Sequence, residues 1–475
     1  MKLRACCSLR RLAGFGVGLV LAGVVAFLVA FGRIAAGYAA TITALQVFGS
    51  GDELARVRAE RLQLPLGLGS ALAIEVEERD GVREARATFL GLIERRARWR
   101  PGLGASRLAD ETFAPAEVPD LVPPNPTDVP WPRGDALELA PLEPARAANL
   151  ERAIEHAFTD PETGQTRGTH AVAVVRGGEL VAERYREGYD LHTPILGWSM
   201  TKSVTATLFA RLLLLGKIAS VDEPAAVSEW QIEGDPRHSI TYAQLLCMTS
   251  GLAFFANYEL PWSDSLRMLF ASADVAAYAA NQPLAHAPGT VWSYSDGTSN
   301  ILARCVREVC AEDENERRLF PQRALFAPLH MSTAVISVDA RGNWVGSSLM
   351  QASARDWLRL GWLYASDGVV DGERLVPAGW VDFVSRATAG SPERSYGAHF
   401  WRYDRELGRT SKGRAVPALL ADVFYASGHD GQFLWIDRTR GIVLVRLGAA
   451  GPAGAAPFDP EAFAEEVFAA LLGPG

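Results

Sequence analysis

The segment GWSMTKSV, residues 197–204, sets Ser199 three positions before Lys202. Lysine is rare in this chain: Lys2, Lys202, Lys217 and Lys412 are the only four among 47 basic residues. Arg cannot lose its proton in a protein, whereas a desolvated lysine can. A lysine kept beside a serine is therefore a candidate base, and the serine a candidate nucleophile. The i, i+3 spacing puts both side chains on one face if a helix starts at Ser199. SVTATLFARLLLLGK, with Gly216 as a stop, predicts that helix. The plainer reading of the same residues is an N-cap serine followed by a surface lysine.

Two further stretches carry polar residues in suggestive settings. Tyr294-Ser295-Asp296 follows the turn HAPGTVW and precedes the helical run NILARCVREV. A tyrosine near an ammonium can relay a proton; a tyrosine packed at a helix start is the structural alternative. Gly428-His429-Asp430-Gly431 lies just before the strand-like QFLWID. Glycines flanking a polar pair allow close approach to a strand, although an ordinary loop-to-strand turn reads the same way. His429 has no partner cluster with metal-ligand spacing, so neither a metal nor another cofactor is expected.

The elements that must hold these residues follow from pattern. A helix over Glu143 to Phe158 precedes HAVAVVRGGELVAERY, two apolar runs about Gly177-Gly178 that predict a hairpin. GQFLWIDRTRGIVLVRLG predicts two more strands joined at Asp437–Gly441, and a helix from Pro460 to Leu472 closes the chain. Residues 199–390 between them read as mainly helical. Strands at both ends with helices inserted imply an α+β fold: one antiparallel sheet flanked by helices, with a mainly helical second lobe and a site in the cleft between them.

The first 145 residues divide differently. Lys2, Arg4, Arg10 and Arg11 precede an uncharged run from Leu12 to Gly32, about 30 Å long as a helix and sufficient to span a bilayer. The charge bias predicts a cytoplasmic N-terminus, a single-pass anchor and a body on the periplasmic or extracytoplasmic side; a signal cleaved near Ala40 is the alternative, since Gly37 and Ala39 are small. Residues 41–114 read as a small extension with a helix over Asp52–Gln63 and a hairpin about Asp80-Gly81, without a catalytic constellation. PAEVPDLVPPNPTDVPWP, residues 115–132, has seven prolines and starts an extended linker or wrap that runs to about residue 145. Net charge is −8 and no basic stripe is present, which argues against nucleic-acid binding. Five cysteines are too few for a disulfide framework; Cys305 and Cys310 allow at most a local bridge.

Taken together, the three motifs resemble the serine β-lactamase and penicillin-binding-protein family. The likeness is closest to its class C branch, which includes esterases and aminohexanoate-dimer hydrolases. LLCMTSGL (245–252), PGTVWSYSD (288–296) and SLMQASARDWLRLGWLYASDG (348–368) extend the resemblance over residues 146–475. It implies a β-lactamase/transpeptidase-like fold and an acyl-enzyme, with Ser199 as nucleophile, Lys202 as its base or proton partner, and Tyr294 activating water and protonating the leaving group. It also implies an oxyanion hole from the backbone N–H groups of Ser199 and Gln432, with Asp296, His429, Asp430 and Gly431 lining the substrate site. Two departures stand out: Asp296 takes the place of a frequent Asn, and His429-Asp430-Gly431 the place of K-T-G. Losing that lysine favours small ester or amide substrates without a free carboxylate. A D-alanyl peptidase role and a non-catalytic member of the fold are the alternatives.

Overall fold

A computed structural model describes residues 2–107, 122–404, 406–410, 413–449 and 454–473, with side chains of the first helix from Ala22 onward. Residues 115–121 of the proline-rich stretch lie outside the described residues. The remainder of that stretch is a wrap held to the body. Trp131 is buried, and Arg359 donates to the carbonyls of Pro132 and Gly134 at 2.8 and 2.9 Å.

Strands from both ends of the body close one six-stranded antiparallel sheet. Its order is Trp401–Arg402, Phe424–Gly428, Gln432–Asp437, Ile442–Gly448, then β5 (Thr169–Arg176) and β6 (Glu179–Tyr185). β5 reads THAVAVVR and is buried almost throughout, because both faces of the sheet are covered. Ala171, Ala173 and Val175 join the large core containing helix Ala354–Ala365. Val172 and Val174 face the other way, into a second core with α3 (Pro144–Phe158) and the C-terminal helix Pro460–Leu472. The two-residue period of a strand thus separates two cores. Gly177 and Gly178 turn the β5–β6 hairpin with φ of 61° and 86°, the left-handed pair that a tight hairpin requires.

The helical lobe shares the large core with one face of this sheet. Its centre is α4 (Thr201–Leu214) beside helix Asp296–Cys310. α4 is buried along nearly its whole length, its polar Thr201, Lys202, Ser203, Thr205 and Thr207 included. Cys247, Cys305 and Cys310 are free thiols, so the local bridge does not form.

The N-terminal helix α1 runs from Lys2 to Ala44 without a break and continues as a wider turn over Leu45–Ser50. It therefore extends well past Gly32, where the sequence suggested the span would end. From Ala22 to Ser50 it is long and apolar enough to cross a membrane, as a buried core helix or signal segment also would be. Its two halves differ. Val24, Val25, Phe27, Leu28 and Val29 are exposed, whereas Ile34, Ala36, Ala39, Ile42 and Leu45 are buried in the main core. The extension that follows is α2 (Leu54–Glu60) and a four-stranded meander of β1 (Leu72–Arg79), β2 (Val82–Phe89), β3 (Ile93–Arg100) and β4 (Gly104–Arg107). This meander packs on α1, with the Phe31 and Phe89 rings edge to face at 5.4 Å. Small residues let α1 approach the body closely: a Cβ on Gly37 would lie 2.0 Å from the Phe270 carbonyl oxygen.

Candidate active site

Ser199 lies in a single helical turn, Trp198–Met200, that leads directly into α4. Trp198 is held at φ 48°, a left-handed conformation rare for a bulky residue. Strain of this kind persists only where the surroundings over-determine it. Here they do: Gly197 packs on Trp357, where a Cβ would lie 2.3 Å from the indole. On the other side, a Cβ on Gly428 would lie 2.2 Å from the Gly197 carbonyl oxygen. Gly428 is thus required by the close approach of its strand to the turn carrying Ser199. At this helix start the N–H groups lack intrahelical acceptors, which leaves the Ser199 N–H available to an anionic oxygen.

Lys202, one turn on, is 1% exposed. Its ammonium donates to Ser199 Oγ at 3.0 Å, to Asp296 Oδ1 at 2.6 Å and to the Ser347 carbonyl at 2.8 Å. An ammonium has three donors, and all three are committed. Burial works to remove its proton, but the Asp296 carboxylate works against this and the net shift is upward. Asp296 is itself fully buried, in the first turn of helix Asp296–Cys310, where the helix dipole favours a carboxylate. Its second oxygen accepts from Tyr258 and, at 2.6 Å, from Ser265. The ring of Tyr294 lies 4.9 Å from Lys202 Nζ and stacks on Trp401 at 5.6 Å.

Ser199, Tyr294 and His429 line one cavity of about 630 Å³. His429 points its ring edge-on to Trp198 at 5.5 Å. Asp430, Gly431 and Gln432 do not line it. Gln432 pairs across the hairpin with Gly428, and its amide is locked to Gly448, donating to the carbonyl at 2.6 Å and accepting from the N–H at 2.9 Å. The structure therefore corrects the oxyanion assignment at this position: the backbone facing the cavity is Ser427–His429, because the His429–Gly431 turn carries the chain away before Gln432. Asp430, at φ 63°, receives Arg61 at 2.5 Å.

Sequence reasoning missed Arg61, Tyr258 and Ser265. The extension contributes Arg61, Gln63, Leu64 and Leu68 to the cavity wall, and α1 contributes Phe27, Phe31, Ile34, Ala35 and Tyr38. Arg61 gives one arm to Asp430 and the other to the Gly448 carbonyl at 2.7 Å, so it is occupied in fixing the third motif. Nothing in the local sequence signals this, since its partner is 369 residues away.

The beta-lactamase family model matches residues 151–464. The 6-aminohexanoate-dimer hydrolase of Paenarthrobacter ureafaciens is 27% identical over 325 residues, covering 64% of this chain and 75% of that one. Among solved structures, a family VIII carboxylesterase superposes with a TM-score of 0.51 at 16% identity, covering 70% of this chain and 99% of the other. A penicillin-binding protein homologue from Caulobacter crescentus gives 0.50 at 19% identity, with 70% and 99% covered. The sheet order, the helical lobe and the family match together assign the fold, and the chain belongs to the beta-lactamase family.

Proposed function

We propose that this protein is an exported, membrane-anchored serine hydrolase that acts on an ester or amide through an acyl-enzyme on Ser199. The observation that carries the reading is the contact of the buried Lys202 ammonium with the Oγ of Ser199, which itself lines the cavity. Because Lys202 donates to that oxygen, the serine's own hydrogen is directed elsewhere. Tyr294 is the relay: its oxygen accepts the serine proton as its own proton passes to the leaving atom. The Ser199–acyl bond forms as the ester or amide bond breaks, and water then reverses the sequence to release the acid. Lys202 stays charged throughout, stabilising the negative charge that builds on Ser199. The N–H of Ser199 and a backbone N–H of Ser427–His429 hold the carbonyl oxygen.

An uncharged substrate is favoured over a penicillin-like carboxylate, since Arg61, the guanidinium on the cavity wall, is already paired. A fluorophosphonate probe should label the wild type and not Ser199→Ala, whose turnover should fall by at least roughly 10⁴-fold. Labelling by a fluorescent penicillin instead would replace this reading with a D-alanyl peptidase role. Labelling by neither probe would favour a non-catalytic member of the fold.

A further inference from the structure

The cavity lining is largely apolar. Besides Ser199, Tyr294 and the polar Arg61, Gln63 and Glu259, it includes Phe31, Ile34 and Ala35 of α1 together with Leu64, Leu266 and Phe270. Phe27 lines it too, and Phe27 is also half exposed, within the same apolar surface as Val24, Val25, Leu28 and Val29. The cavity wall is therefore continuous with the outer, exposed face of the helix that is long enough to span a bilayer. From Phe27 to Tyr38 that wall extends roughly 16 Å along the helix axis.

Further exposed apolar residues lie on the elements that pack around this part of α1 and the cavity wall. The turn between β2 and β3 sits against Gly32, where a Cβ would lie 2.6 Å from Ile93 and 2.7 Å from Phe89. Its tip presents Leu90 and Leu92 to the outside, the latter 85% exposed. Trp262, on the cavity wall, is half exposed, as is Phe255 in the same loop. Exposed leucines at the end of a span and aromatic residues near it are what an interface holds at headgroup level. Arg33, the first charge after the apolar run, lies close enough to Arg95 of β3 to depress its basicity, after burial, which is the larger cause. Isolated exposed apolar residues need no explanation; here Leu90 and Leu92 sit on the turn whose Phe89 and Ile93 pack at Gly32, and Trp262 shares the cavity lining with Phe27.

Resting on the hydrolase and anchor readings above, we infer that the substrate is a membrane amphiphile. Its long fatty acyl chain enters sideways from the bilayer at Phe27 and lies along α1, which places its ester or amide carbonyl at Ser199. Hydrolysis releases a fatty acid, which can return to the bilayer along the same wall.

The test uses the full chain in phosphatidylcholine vesicles with p-nitrophenyl esters from two to sixteen carbons. The expected kcat/KM rises with length, by roughly fourfold for each fully buried methylene, until the chain outruns the cavity. Ala35→Phe, which narrows the cavity beside α1, should lower the twelve-carbon to four-carbon ratio by at least about tenfold. Phe27→Ser, at a half-exposed position where folding is not at stake, should lower the same ratio. A long ester placed in the enzyme's own vesicles should be cleaved faster than the same ester in a separate vesicle population. Flat chain-length dependence with good turnover of the two-carbon ester would overturn the inference and leave the hydrolase reading intact. Equal rates from both vesicle populations would overturn sideways entry. No turnover at any length would count against the hydrolase reading itself, and the inference would fall with it.

Discussion

Two buried ionic clusters hold distant parts of this chain together, and protons act on them differently. At Ser199, Lys202 pairs with Asp296, 94 residues away, and the acceptors around the ammonium are all within the body. Under α2, Glu60 pairs with His170 at 2.9 Å and Arg186 at 2.7 Å, joining the extension to β5. In the first cluster burial is the largest single influence on the lysine, but Asp296 and Tyr294 together outweigh it and the lysine keeps its proton. In the second, burial dominates the imidazole and pushes His170 down to about 4. Burial works the other way on Glu60, but hydrogen bonds from His170 and Arg186 outweigh it and bring the carboxylate to about 2. One cluster is built to hold its charge at the working pH. The other loosens as acid is added.

Breaking the first cluster should have the largest effect. Lys202→Met leaves Asp296 buried without a cation, a change that costs about 3–5 kcal/mol in comparable pairs. The variant should show a much lower denaturation midpoint and no acylation burst. Lys202→Arg keeps the charge but forces a larger, planar group among three acceptors arranged for an ammonium. By displacing Ser199 Oγ it should slow the acylation burst by roughly 10²-fold, with a smaller loss of stability of about 1–3 kcal/mol. Near-native burst kinetics in that variant would mean that charge alone suffices.

The second cluster sharpens the contrast through pH. His170 is depressed from 6.5 to about 4, so the unfolded chain binds more protons across that window. Stability is therefore complete above about pH 6.5 and falls as pH drops toward 4, by up to roughly 3 kcal/mol. Glu60 adds a further loss as pH falls from 4.5 toward 2. Denaturant titrations at pH 7.5 and 5 should reveal the slope, and His170→Gln should flatten its upper part. The same contrast can be probed from the other partner, Asp296, whose removal leaves the Lys202 ammonium buried without its carboxylate and should also lower stability. Asp296→Asn removes the charge that raises the Lys202 pKa, so the ammonium should deprotonate at lower pH. The alkaline limb of the kcat/KM profile should shift downward, with activity at pH 7 within about tenfold of wild type.

Much of the body was legible because its signals are local. Gly177-Gly178 and Asp80-Gly81 each specify a hairpin turn in two residues, and both hairpins form as their sequences suggest. The alternation in THAVAVVR and the helical run after Ser199 likewise need only neighbours to be read. What escaped depends on pairs far apart in sequence. Arg61 looks like any helix-end arginine until the fold brings it to Asp430. Tyr258 and Ser265 sit in a loop and a short helix with no motif, and only the position of Asp296 gives them meaning. Gln432 was misplaced because counting from a motif cannot show which way a turn points. That the helix continues beyond the apolar run ending at Gly32 was not legible for a different reason: hydropathy does not mark where an exposed helix face gives way to a core-facing one.

That helix has a mechanical consequence. A protein tethered by a flexible stalk tumbles above its membrane and samples a volume. α1 offers no such joint, since it passes unbroken from its exposed outer half into the packed core, with Gln351 holding its last turn at the Leu45 carbonyl and Ser50. In the anchored reading the body is bolted to the bilayer at a fixed height and tilt. The search for substrate then becomes two-dimensional, and bilayer thickness itself becomes a variable that sets how far the mouth of the cavity stands above the lipid.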